Sequence, residues 1–162
     1  MLGRVLRQVR QEPAGPDLLW LNRHIAISAS GTVADWTTAY EAGVRGAIVL
    51  QGAPDDDGAT VRSQGMRYLG LQLDRRGVPS AEELYLLTSW AVERNREDCA
   101  VVIQDSRHRN NDGLVAAATL VKGGLPAHLA LRALQRVRPK IRLDYAQSAA
   151  LVRFAASQSI EA

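Results

Sequence analysis

The sequence is poor in cysteine and in aromatic residues. Cys99 is the only cysteine in 162 residues, which excludes an internal disulfide framework and a metal site built from several thiolates. Aromatic residues make up 5% of the chain. No apolar run approaches the roughly 20 residues that a membrane-spanning helix needs. We therefore expect a cytoplasmic protein without a membrane partner.

The charge balance is also modest. The chain has 20 basic and 17 acidic residues, a formal net charge of +3, which is too small an excess to imply nucleic acid unless the cations cluster. One basic cluster surrounds Pro139, and it is made of Arg132, Arg136, Arg138, Lys140 and Arg142. Few aromatic residues accompany these cations, which favours a solvated helix face over a nucleic-acid surface.

The length suits a single domain. An apolar fraction of 46% and a charged fraction of 23% in 162 residues are ordinary for one globular unit with one core. Residues 1–13 form a basic amphipathic stretch without the apolar centre of a signal peptide. We predict that residues 1–16 are an N-terminal extension and that residues 17–162 form the domain.

Along the chain, predicted strands alternate with predicted helices. Short apolar runs predict strands at 18–21 and 25–27, as a pair or one bent strand, and further strands at 47–50, 66–73 and around Val101. Ser80 and Glu83 form a capping box that opens a helix to about Arg94, and helices are predicted at 112–121, 126–137 and 143–158. Residues 51–65 are predicted as a surface loop. This order favours an α/β domain with a central, mainly parallel sheet of four to five strands and helices on both faces.

The polar stretch after the strand around Val101 is the candidate functional loop. Where a strand is followed by a loop and then a helix, the backbone N–H groups of the first helical turn are unpaired and can bind an anion. The candidate anion-binding residues are Ser106, Arg107, His108, Arg109, Asn110, Asn111 and Gly113. Asparagine tolerates the left-handed backbone that the turn can require, and Asp112 is expected to be the helix N-cap.

Several short motifs in fixed order resemble those of dual-specificity and atypical tyrosine phosphatases. These are Leu73-Asp74-x-x-Gly77-Val78-Pro79-Ser80, the apolar strand with its loop and Asp112-Gly113, Leu134-x-x-Val137-Arg138-Pro139, and Gln147-x-x-x-Leu151-x-x-Phe154. The resemblance covers residues from about Trp20 to the end of the sequence. It implies a single phosphatase-like α/β domain.

The same resemblance identifies where the sequence departs from the family. In that family the strand ends in His-Cys, and five residues separate the nucleophilic cysteine from a phosphate-binding arginine. Here Gln104 takes the histidine position, Asp105 the cysteine position and Asn111 the arginine position. Asp74 falls at the position of the general acid. A cysteine phosphatase needs a thiolate nucleophile and a guanidinium that grips the phosphate, so no catalytic residue of that mechanism is expected in this chain.

Two hypotheses about function follow. The first is a catalytically inactive phosphatase-like protein, a pseudophosphatase, that acts as a binding or regulatory module for an unknown protein or a small anionic ligand. The second is a phosphatase or other hydrolase that uses Asp105 or Asp74 in the inherited cleft. We predict no cofactor and no metal, because only Asp112 and His108 accompany Asp105 as potential ligands in this stretch.

Overall fold

The structure is a computed structural model. It describes residues 17–30, 33, 35–51, 57–73, 77–107 and 109–161. The predicted extension at residues 1–16 lies outside the described residues, and so do Asp74 and His108.

Among the described residues, five strands form one sheet around β5. Their bounds are β1 Leu18–Trp20, β2 Ile25–Ser28, β3 Val44–Gln51, β4 Arg67–Gln72 and β5 Ala100–Asp105. The spatial order is β1-β2-β5-β3-β4, with β1 antiparallel to β2 and every other pairing parallel. The prediction of a mainly parallel sheet is confirmed, and the first two strands form an antiparallel pair.

Six helices in the described residues cover the two faces of the sheet. They are α1 Trp36–Glu41, α2 Asp57–Ser63, α3 Ala81–Arg96, α4 Asn111–Lys122, α5 Ala127–Val137 and α6 Tyr145–Glu161. Helices α1 and α2 pack on the face that carries Ala26, Val49 and Val102. Helices α3 to α6 pack on the face that carries Ile27, Ile48 and Ile103. Alternate residues of each strand thus enter two separate cores, as the pleat of a sheet requires. Within the part of the chain described here, no helix is long and apolar enough to cross a membrane.

Helix α2 contradicts part of the predicted surface loop at residues 51–65. Residues 57–63 are helical, and the side chain of Val61 is fully buried beside Met66. A short helix that buries one large apolar side chain leaves no helical periodicity in the sequence. Tertiary packing onto the sheet, rather than local pattern, therefore accounts for this helix.

The predicted capping box at the start of α3 is confirmed. The N–H of Glu83 donates to Ser80 Oγ at 3.1 Å, and the N–H of Ser80 donates to Glu83 Oε1 at 2.9 Å. Leu84, Leu87 and Ala91 then form the buried side of the helix. The cap fixes the point at which the segment from Gly77 enters α3, close to the candidate loop.

The substitution Ser80→Ala should lower the free energy of unfolding by about 1 kcal/mol, because an N–H of the first turn loses its acceptor. Urea unfolding monitored by circular dichroism measures this loss. Ser80→Asp keeps an acceptor at the N-cap and should retain most of the stability. Equal stability of the wild type and S80A would show that the cap bond contributes nothing.

Candidate functional site

The predicted loop leaves the sheet from its central strand. β5 lies between β2 and β3, and all six of its residues are buried. The N–H of Ser106 still donates to the carbonyl of Leu50 in β3 at 3.1 Å. The chain then enters what we name the Asp105 loop, residues 105–111, and continues into α4. This junction lies at the carboxyl edge of the parallel strands, where open α/β sheets form their binding crevices.

The Asp105 carboxylate is enclosed by backbone N–H groups of its own loop. Asp105 is only 2% exposed. Its Oδ1 accepts from the N–H of Arg107 at 3.0 Å. Its Oδ2 accepts from the N–H groups of Arg109, at 3.2 Å, and Asn111, at 3.1 Å. Successive N–H groups that converge in this way form an anion-binding concavity. Here they are directed at a side chain of the protein itself.

A left-handed residue turns the loop into α4. Asn110 has φ 64° and ψ 14° and stands at the N-cap, where its side chain makes no capping hydrogen bond. Asparagine is among the few residues other than glycine that tolerate this conformation. The prediction that Asp112 is the N-cap is wrong, because Asp112 is already the second residue of the helix.

Asp112 is instead paired with an arginine. Arg138 Nη1 donates to Asp112 Oδ1 at 3.0 Å and Nη2 donates to Oδ2 at 2.9 Å. The Asp112 side chain is 3% exposed and that of Arg138 is 19% exposed. Arg138 Nη2 also donates to the carbonyl of Ser28 at 2.7 Å, which joins the end of α5 to the end of β2. The interpretation of the basic cluster as a solvated face is therefore wrong for Arg138, which is an internal counterion.

The Asn111 side chain connects the loop to two other segments. Asn111 is 1% exposed, and its Nδ2 donates to the carbonyl of Gly77. Its Oδ1 accepts from Gln147 Nε2 at 3.0 Å, and the same Nε2 donates to the carbonyl of Arg109 at 2.6 Å. Both ends of this amide are thus engaged inside the protein, one with the segment before α3 and one with α6.

The other predicted residues differ in their exposure. Ser106, Arg107 and Asn110 are half-buried, and Arg109 is exposed. Gly77 has φ 76°, and a Cβ there would stand 3.1 Å from Arg109 Nη1, so the Arg109 side chain lies close over this glycine.

Two further positions are explained by contacts with neighbours. Gly113 lies inside α4, where a Cβ would stand 2.7 Å from Ile141 Cδ1, so the glycine permits close packing. Gln104 Oε1 accepts from the N–H of Val33 at 2.6 Å, and its Nε2 donates to Ser106 Oγ at 3.1 Å. The described residues contain no cluster of three or more His, Cys, Asp or Glu side chains that could hold a metal ion.

Sequence reasoning did not assign Arg138, Gln147 or Gly77 to the site. A signal for Arg138 was present, because an aspartate that opens an apolar, alanine-rich helix needs a cation when it is buried. Gln147 and Gly77 appear in the motifs that carry the resemblance, but their hydrogen bonds to Asn111 depend on the fold alone.

Known proteins with this architecture were found among solved structures. The mouse dual specificity phosphatase complexed with zinc tungstate has a TM-score of 0.78 and 16% identity, with 93% of this chain and 94% of that chain covered. PTPMT1 in complex with PI(5)P has a TM-score of 0.77 and 17% identity, with 90% and 98% covered. Human DUSP28 has a TM-score of 0.74 and 16% identity, with 93% and 99% covered. No protein-family model and no curated protein matches the sequence. The fold implied by the resemblance is confirmed.

The substitution Arg138→Ala should lower the free energy of unfolding by about 3–5 kcal/mol, because it leaves the Asp112 carboxylate buried without its partner. Arg132→Ala is the matched control, since Arg132 is an exposed arginine on α5, the helix that Arg138 directly follows. Chemical unfolding of both variants gives the comparison. A second change, Asp112→Asn in the R138A background, should restore part of the loss. If R138A and R132A unfold at the same denaturant concentration, the pair has no stabilising role.

Proposed function

We propose that this domain, which has the fold of dual-specificity phosphatases, is a catalytically inactive relative that acts as a binding or regulatory module. The observation that carries the proposal is the Asp105 carboxylate with its three backbone N–H donors. A phosphate group bound by the same donors would have to displace this carboxylate or approach it closely.

Electrostatics support this interpretation. Two unit negative charges about 4 Å apart repel by about 4 kcal/mol at an effective dielectric constant near 20. A phosphate dianion carries about twice that charge, so its repulsion by Asp105 is larger still. The N–H groups that would offset this cost already bond to Asp105. The Asp105 loop is therefore expected to bind phosphate esters poorly.

The residues that the resemblance assigns to the catalytic positions also support a binding role. Asp105 supplies no thiolate, and cysteine phosphatases attack phosphorus with a thiolate. Asn111 supplies no positive charge, and its amide already bonds to Gly77 and Gln147. Neither residue offers the thiolate nucleophile or the guanidinium that phosphoryl transfer by a cysteine phosphatase needs.

A generic aryl phosphate should not be hydrolysed above background by the wild-type protein, with or without divalent metal ions. Release of the aryl alcohol, followed by absorbance, measures turnover. Wild type, Asp105→Asn and the surface control Arg132→Ala should be indistinguishable. Metal-dependent turnover that is present in the wild type and R132A but lost in D105N would establish the second hypothesis, a hydrolase that uses Asp105.

Removal of the internal carboxylate should open the Asp105 loop to external oxyanions. We expect vanadate or sulfate to raise the melting temperature of Asp105→Ala by about 3–6 °C at ten times its dissociation constant, and to leave the wild type unchanged. The double variant Asp105→Cys with Asn111→Arg should bind vanadate as well.

Thermal unfolding measures the melting temperature, and isothermal titration calorimetry measures oxyanion binding. If D105A does not fold alone, it is refolded in the presence of sulfate. Vanadate binding by the wild type as tight as that by D105A would contradict the proposal. A folded double variant that ignores both oxyanions would show that the match between this loop and the phosphatase loop is wrong.

A further inference from the structure

A groove lies beside the Asp105 loop, between the first half of α3 and the length of α6. We name it the α3–α6 groove. Its volume is about 520 Å³ and falls in the range typical of ligand sites. Its floor and walls are apolar or small, and they include Val78, Pro79, Leu84, Ala149 and Phe154. The groove is separate from the loop's own N–H donors, so a ligand there would not compete with the Asp105 carboxylate.

The rim of the groove carries exposed tyrosines. Tyr145 is 90% exposed and Tyr85 is 51% exposed, and both line the groove. Lys122 Nζ lies 3.9 Å from the centre of the Tyr85 ring and makes a cation–π contact with one face of it. Tyrosine and arginine are enriched at the centres of protein interfaces, because a rigid ring offers apolar area together with a hydroxyl.

The charge of the groove has one sign. Among the described residues that line it, Arg153 carries the only formal charge. Lys122 adds a second cation behind Tyr85. An apolar groove with a cationic edge complements a ligand that places apolar side chains next to a carboxylate.

Both walls of the groove are fixed by the buried hydrogen bonds of the site. Val78 follows Gly77, whose carbonyl accepts from Asn111 Nδ2. Ala146 precedes Gln147, whose Nε2 bonds to Asn111 and to the carbonyl of Arg109. The walls are thus held in place before any ligand arrives, which reduces the entropy lost on binding.

We propose that the α3–α6 groove binds a short peptide segment of a partner protein, in which a large apolar side chain lies within a few residues of an aspartate or glutamate. The apolar side chain fills the groove over Leu84 and Phe154, and the carboxylate pairs with Arg153. A peptide suits the site because the groove is small and its rim offers tyrosine hydroxyls for backbone groups. This inference rests on the proposed binding function and names the partner's chemistry.

Selection of random linear peptides on phage against the 162-residue chain tests the inference. Enriched peptides should share an apolar residue near an acidic one, and a synthetic representative should bind in fluorescence anisotropy. Arg153→Glu should weaken binding by about tenfold or more. A peptide with lysine in place of its acidic residue should bind R153E better than it binds the wild type. Ala149→Trp should fill the groove and abolish binding.

Arg132→Glu is the matched control, since it reverses an exposed charge on α5, away from the groove, and should leave affinity unchanged. If A149W does not fold, the charge reversal at the exposed Arg153 still decides the outcome. No enrichment, or peptides that bind wild type and R153E equally, would overturn the inference. If the protein dimerises and R153E abolishes the dimer, the groove binds a second copy of this chain. If the protein binds acidic vesicles and no peptides, the groove binds a membrane surface. Either result would overturn the inference.

The two proposals fail in different ways. Aryl phosphate turnover together with intact peptide binding would refute the inactive character and leave the groove assignment standing. An inactive protein without peptide binding would refute the groove assignment alone.

Discussion

The arrangement of this site depends on three hydrogen bonds from backbone N–H groups to one carboxylate. Burying a carboxylate is costly unless its oxygens are paired, and hydrogen bonds to a charged acceptor contribute about 1.5–3 kcal/mol each. The N–H groups of Arg107, Arg109 and Asn111 supply that pairing for Asp105. The loop consequently keeps the shape of an anion cradle without any ligand, because its anion belongs to the chain.

Further buried polar contacts connect the Asp105 loop and the start of α4 to neighbouring segments. Asn111 joins the loop to Gly77 and Gln147, and Asp112 joins the start of α4 to Arg138 at the end of α5. Each of these contacts connects segments that are far apart in sequence. Polar networks whose members are paired make a site rigid and specify one arrangement of it. The C-terminal helices therefore act as the outer support of the loop as well as part of the core.

The parts of the structure that follow from local pattern could be predicted from the sequence. The alternation of strands and helices, the parallel sheet and the Ser80 capping box all rest on periodicity or on residues three apart. Helix α2 could not be predicted, because its buried Val61 is set by packing on the sheet. The pairing of Asp112 with Arg138 joins residues 26 positions apart, and aspartate before an apolar helix equally suits an N-cap. The resemblance directed attention to Asp105, the residue at which β5 ends and the loop begins. The direction of the surrounding N–H groups depends on backbone angles such as the positive φ of Asn110, which the sequence pattern does not specify.

Helix α4 is buried from Asn111 through Thr119, enclosed by the sheet and by α3, α5 and α6. Amide hydrogens in such a central helix exchange with solvent only when much of the domain opens. The Asn111 N–H, which donates to the Asp105 carboxylate, belongs to the first residue of this helix. Because the loop ends in this helix, we expect its exit to move only when α4 itself opens, while the groove walls at Val78 and Ala146 keep the positions set by the Asn111 hydrogen bonds.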